Sequence, residues 1–275
     1  MENNPLKQYF RRPSVYMKLP SGGAGYPEGT LDLPENGELP IYPMTAIDEI
    51  TARTPDALFN GTAVVELIRS CVPNIKDPWA VTNVDLDALL VAIKAASSPS
   101  GEMDIESQCP KCEDVSNFKI ILGGILAGLS NPDFDAELEV GDLSIKFRPL
   151  SFKEVNQASI EQFDLQRMFA SLDNMADEEQ KSKAMQEALA RITNLTMVLL
   201  SKSIVHIKTP TMPVTELEYI LDFLQHCDRN LYIQIRDYSS KMREQSEIKP
   251  MKFTCASCSH EYEQSITLNP TDFFE

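Results

Sequence analysis

The chain has 275 residues, 25 of them Lys or Arg and 41 Asp or Glu, which leaves a net charge of −16. Phosphate backbones repel such a chain, so general nucleic-acid binding is disfavoured, while a hydrophobic share of 43% suffices for a packed core and argues against disorder. No run reaches the roughly 18 apolar residues of a membrane helix, and residues 1–14 lack a signal-peptide apolar region, so a cytoplasmic chain with reduced cysteines is expected.

Residues 1–44 read as an extended arm outside the core, because proline and glycine crowd SGGAGYPEGTLDLPENGELPIYP. The glycines are not followed by the Gly-Lys-Ser/Thr of a phosphate loop. A helical block is expected over 45–100. Thr45 and Asp48 stand at capping-box spacing, Val64, Leu67, Ile68, Cys71 and Val72 form one apolar face, and Asn83 caps a helix whose stripe is Leu86, Leu89, Leu90 and Ile93. Over 101–122 the pattern becomes strand, Cys109-Pro110-Lys111-Cys112, strand.

The segment 123–248 is expected to hold a small hairpin, AELEV and LSIKF turning at Gly141-Asp142, and then an inserted helical bundle from Ser151 to Ser246. Ser151/Glu154 and Thr215/Glu218 are capping-box pairs, and Asp177 with Glu178 and Glu179 suits a helix start. Three stripes supply the bundle core: Met185, Leu189, Ile192, Thr196 and Leu199; Leu217, Ile220, Leu221 and Leu224; Leu231, Ile235, Tyr238 and Met242. Residues 249–275 then repeat the strand, knuckle, strand unit around Cys255-Ala256-Ser257-Cys258. The fold class expected is α+β, mainly helical, with a split zinc-ribbon-like pair of β-hairpins and an extended N-terminal arm.

Four of the six cysteines carry the chemistry. Cys-x-x-Cys lets both sulfurs of one knuckle reach a metal about 2.3 Å away, and two knuckles complete a tetrahedral shell. Cys109, Cys112, Cys255 and Cys258 are therefore the candidate ligands of one structural zinc, provided that residues 113–254 leave and return to the same place. Redox chemistry would need one pair at a helix N-terminus after a strand, which the hairpin patterns do not offer. His260 is expected beside the site or at the surface, His206 and His226 packed or solvated, and Cys71 and Cys227 in the core. Lys111, Lys119, Lys249 and Lys252 are outnumbered near the knuckles by Glu102, Asp104, Glu106, Glu113, Asp114, Glu261 and Glu263. Nucleic-acid contact is thereby disfavoured at the knuckles themselves. Catalytic signatures such as Gly-x-Ser-x-Gly and His-Glu-x-x-His are missing, and the pairs Asp85/Asp87 and Glu216/Glu218 are read as helix-start acids.

Several stretches in order, LPSGGAGYPEGT, IYPMTAIDE, FNGTAVVELIRSCV, DLDALLVAIKAAS with CPKC, LSIKFRPLSFKEV and FTCASC, resemble the baseplate hub or hub-assembly proteins of T-even-like contractile-tailed bacteriophages. The resemblance implies a non-enzymatic virion component or assembly factor, made in the host cytoplasm and bound to baseplate hub and tail proteins within a multi-subunit assembly. The alternative is a zinc-ribbon adaptor that binds nucleic acid or the transcription machinery.

Overall fold

The computed structural model describes residues 4–52, 60–172 and 178–265. Helices and small antiparallel sheets alternate along the chain, which divides into two units. One comprises residues 1–131 and 246–275, the other 132–245.

In the first unit, strands β1 (Val15–Lys18) and β2 (Glu38–Ile41) pair antiparallel. The N-terminal region is thus no extended arm, because Met17, Leu19, Leu39 and Ile41 are buried. Alternation places Leu39 and Ile41 on one face of β2, with Pro40 half-buried between them. Arg11 ties this region down, donating to the carbonyls of Pro43 (2.6 Å) and Ser70 (2.8 Å) and meeting Asp48 at 3.3 Å.

Helix α1 (Ala46–Ala52) starts with a true capping box: Thr45 N donates to Asp48 Oδ2 at 2.7 Å, and Asp48 N to Thr45 Oγ1 at 3.3 Å. Helix α2 (Thr62–Cys71) begins after Gly61, whose φ of 78° suits glycine, and buries the expected face, Cys71 included. Helix α3 (Asn83–Ser97) is capped by Thr82 and not Asn83. It is buried on most sides, Asp85 among the buried residues, because it packs on β1, β2 and helix α4 (Leu122–Ala127).

Strands β3 (Glu102–Gln108) and β4 (Val115–Ile121) form the first knuckle hairpin, and β9 (Met251–Thr254) and β10 (Glu261–Gln264) the second. Val91, Ile120, Leu122, Ile125 and Phe253 form one core cluster, so both hairpins share apolar packing with α3 and α4. Phe118 and Phe253 meet across them with ring centroids 4.8 Å apart.

The second unit holds a four-stranded antiparallel sheet in the order β5 (Glu137–Val140), β6 (Leu143–Phe147), β7 (Ile204–Lys208), β8 (Pro213–Val214). β5 and β6 turn at Gly141-Asp142 as expected, Gly141 having a φ of 60°. β7 and β8 interrupt a region expected to be helical throughout. Ile204 and Ile207 enter the core, β-branched residues favour the pleat, and the prolines at 210 and 213 punctuate the connection.

Helices α5 (Phe152–Leu172), α6 (Glu178–Lys202), α7 (Leu217–His226) and α8 (Arg229–Ser246) complete this part of the chain. The core joins Ile145, Phe147, Ile204 and Ile207 of the sheet to Leu200, Ile220, Leu224 and Ile235, so helices cover a sheet and the expected bundle is not what packs. The stripe on α6 is the clearest departure: Met185, Leu189 and Ile192 are exposed, while Ala188 is buried, and α6 is in contact with α5. Ser151/Glu154 is a true capping box, with Glu154 also held by Arg148 at 2.8 Å. Thr215/Glu218 is not, since the helix is capped by Glu216 without a side-chain bond. Asp177 lies outside the described residues.

Candidate metal centre

Each knuckle is built in the same way. Cys109 N donates to the Asp114 carbonyl (2.9 Å) and Glu113 N to the Cys109 carbonyl (2.9 Å); Cys255 N donates to the His260 carbonyl (3.0 Å) and Ser259 N to the Cys255 carbonyl (3.0 Å). Closing so tight a turn requires left-handed backbone at the residue after the second cysteine. Glu113 (φ 60°) and Ser259 (φ 53°) are the two non-glycine residues with positive φ among those described.

The hairpins are pinned together beside the cysteines. Ser257 Oγ donates to Asp114 Oδ2 at 2.6 Å, and Ser107 Oγ bonds Tyr262 Oη at 2.7 Å and also Gln264 Oε1. These contacts bring the four sulfurs within 4.8 Å of one another. Between knuckles, Cys109 Sγ lies 3.7 Å from Cys258 Sγ, and Cys112 Sγ lies 3.6 Å from Cys255 Sγ. A tetrahedron with metal–sulfur bonds of about 2.3 Å has edges of about 3.8 Å. The spacing thus fits a shared four-thiolate ion and is far too long for the roughly 2.05 Å of a disulfide. All four are free cysteines, Cys109 and Cys255 buried, Cys258 half-buried and Cys112 exposed. The arrangement is zinc-ribbon-like.

The thiols are unequal. Burial pushes Cys109 up, but the backbone N–H groups of Cys112 and Lys111 outweigh it and bring it down to about 7. The Asp114 N–H favours the thiolate of Cys112, yet sharing with Cys258, burial, and sharing with Cys255 and Cys109 push it up to about 12. One thiolate forms readily and crowding opposes the next, which is the situation a bound cation relieves.

A family model described as T4 bacteriophage base plate protein matches residues 26–275. The chain belongs to that family. No curated protein and no solved structure matches it. Membership in the base plate family places the chain among phage proteins that act in an assembly, in the virion tail, and suggests a structural role. Among the described residues no helix is long and apolar enough to cross a membrane.

The other residues singled out in this base plate protein stand apart from the cluster. His260 stacks on Tyr262 with centroids 6.3 Å apart, His206 Nε2 lies 3.4 Å from Glu137, and His226 Nδ1 lies 2.8 Å from the Asp222 carbonyl. Cys71 is fully buried as expected, whereas Cys227 is only half-buried at the end of α7, its thiol 3.7 Å from the Leu224 carbonyl. Sequence reading missed Ser107, Asp114, Ser257 and Tyr262 as the groups that lock the hairpins. Their only signal is that each lies within six residues of a cysteine.

Proposed function

We propose that the chain is a non-enzymatic structural or assembly component of the central hub in a contractile phage tail baseplate. One zinc ion held by Cys109, Cys112, Cys255 and Cys258 stabilises its first unit. It is made and assembled in the host cytoplasm, and it binds neighbouring hub and tail proteins.

The observation that carries the reading is the base plate family match over residues 26–275. The sulfur spacing supports the metal, because four thiolates leave no open position for catalysis and suit a structural ion. The local surplus of acids supports protein contact over nucleic-acid contact, since it repels phosphate. Affinity purification of the tagged chain from infected cells, followed by mass spectrometry, tests the partners. Hub and tail proteins are the expected co-purifying set. Recovery of RNA polymerase subunits, or tight, steeply salt-dependent DNA binding, would turn the reading to the adaptor.

A further inference from the structure

A groove of about 480 Å³ opens in the first unit between the end of β4, α4 and the chain leading into β9. Ile121, Ile125, Ile248 and Met251 line it, and Lys119 and Lys249 stand in its wall. Ile121, on its rim, is 67% exposed.

The glycines of α4 leave room for a close neighbour. Gly123 and Gly124 have no positive φ, and a Cβ added at either would meet nothing within 4 Å. Neither backbone conformation nor internal packing therefore demands glycine, although glycine in a helix costs about 1 kcal/mol relative to alanine. What glycine provides is a bare backbone surface. Gly124 and Gly128, one turn apart, form part of the groove wall, where a helix can approach closely.

The same unit carries a ridge of matching character. Ile47 and Ile50, three residues apart on α1, are 74% and 72% exposed, and Glu49 beside them is exposed. Asp48 is turned inward to Thr45 and Arg11, so the outward side chains described on α1 are Ala46, two isoleucines and one acid. An isoleucine ridge with a carboxylate complements an isoleucine groove with the ammonium of Lys249, while Lys119 pairs within the chain with Glu102 at 3.6 Å and Glu49 also faces Lys94. Both surfaces are exposed in one chain and do not meet among the described residues.

The geometry points to self-association in which α1 of one copy docks in the α4 groove of a second copy. Ridge and groove are different surfaces, so the contact is heterologous. Each docked copy still presents a free groove or a free ridge, and copies add head to tail until they close a ring or extend a row. The inference is independent of which hub protein the chain meets, and failure of the hub reading leaves it standing.

Sedimentation velocity of the purified full-length chain from low to high micromolar concentration tests it, using two blocked variants, Ile50→Asp on the ridge and Ile121→Asp in the groove. Both sites are exposed, so native melting temperature and metal content are expected in both. The wild type should associate with rising concentration, and each variant alone should remain monomeric. Mixing the two should give dimers and nothing larger, because one free ridge then meets one free groove. Lys249→Glu should weaken association, and Glu49→Lys in the same chain should restore it.

A wild type that stays monomeric overturns the proposal. So does association that neither aspartate affects, or blocked variants that fail to pair when mixed. If the wild type is monomeric but a chain ending at Ser265 associates, the groove belongs to the chain's own last residues and the proposal falls.

Discussion

Asp85 holds Ser21 across 64 positions of sequence, accepting from its backbone N–H at 2.7 Å and from its hydroxyl at 2.6 Å. Thr82 Oγ1 adds a third bond at 2.8 Å. Asp85 is fully buried and lies in the first turn of α3, where the helix dipole favours negative charge. It thus fastens the glycine-rich stretch after β1 to the central helix. Burial is the largest influence on this carboxyl and raises it above its ordinary range, against the bonds from Ser21 and Thr82. Its folded value exceeds its unfolded one, so its ionised form weighs against stability as pH rises.

Asp85→Ala should cost about 3 kcal/mol in urea unfolding, because it strands a buried N–H and two hydroxyls. Asp85→Asn should cost about 1 kcal/mol, since an amide keeps an acceptor and carries no buried charge. Equal losses in the two variants at pH 7 would mean that charge is irrelevant at this position.

The knuckle backbone offers a stabilising change. A left-handed non-glycine residue costs roughly 1–2 kcal/mol, while glycine gives back roughly 0.5–1 kcal/mol through its unfolded-state freedom. Glu113→Gly and Ser259→Gly should each stabilise the metal-loaded chain by about 0.5 kcal/mol. Calorimetric midpoints that fall in both variants would contradict the strain argument.

Removing the metal should act on both hairpins together. Cys258→Ser is expected to lower zinc content and to speed amide exchange in 102–108 as well as 251–264, because the sulfurs lie 3.6 to 3.7 Å apart across the knuckles. Full protection of 102–108 in that variant would show that the knuckles do not share an ion.

Acid stability of the second unit should depend on Glu137. Hydrogen bonds from Lys208 (2.6 Å) and from Ser144 bring its carboxyl from 4.5 down to about 2, against a smaller effect of burial. The folded value is the lower one, so the stabilisation is complete above pH 4.5 and disappears as pH falls from 4.5 toward 2. Glu137→Gln should flatten the stability profile in that window. An unchanged slope there would assign the acid sensitivity to other carboxylates.

Local chemistry was readable from the sequence, and tertiary partners were not. Thr45/Asp48 and Ser151/Glu154 declare their caps because the partners are three residues apart, and the cysteine spacing is equally local. The burial of Leu39 and Ile41 depends on α3, some fifty residues on, so proline and glycine around them read as an arm. The stripe Met185, Leu189, Ile192 has helical period yet stays exposed. Periodicity reports an apolar face and says nothing of what covers it. Thr215/Glu218 has the right spacing, yet the helix begins one residue later than a cap at Thr215 requires.

The division of the first unit into residues 1–131 and 246–275 has a consequence for synthesis. On the ribosome, α1 to α4 and the first hairpin emerge long before Phe253, Cys255 and Cys258, so their core cluster and their sulfur cluster must wait for the second hairpin. Residues 132–245, complete in themselves, can reach their native state earlier. The N-terminal part of the first unit therefore matures only once the second hairpin is made, and an ion held by all four sulfurs could be enclosed only then.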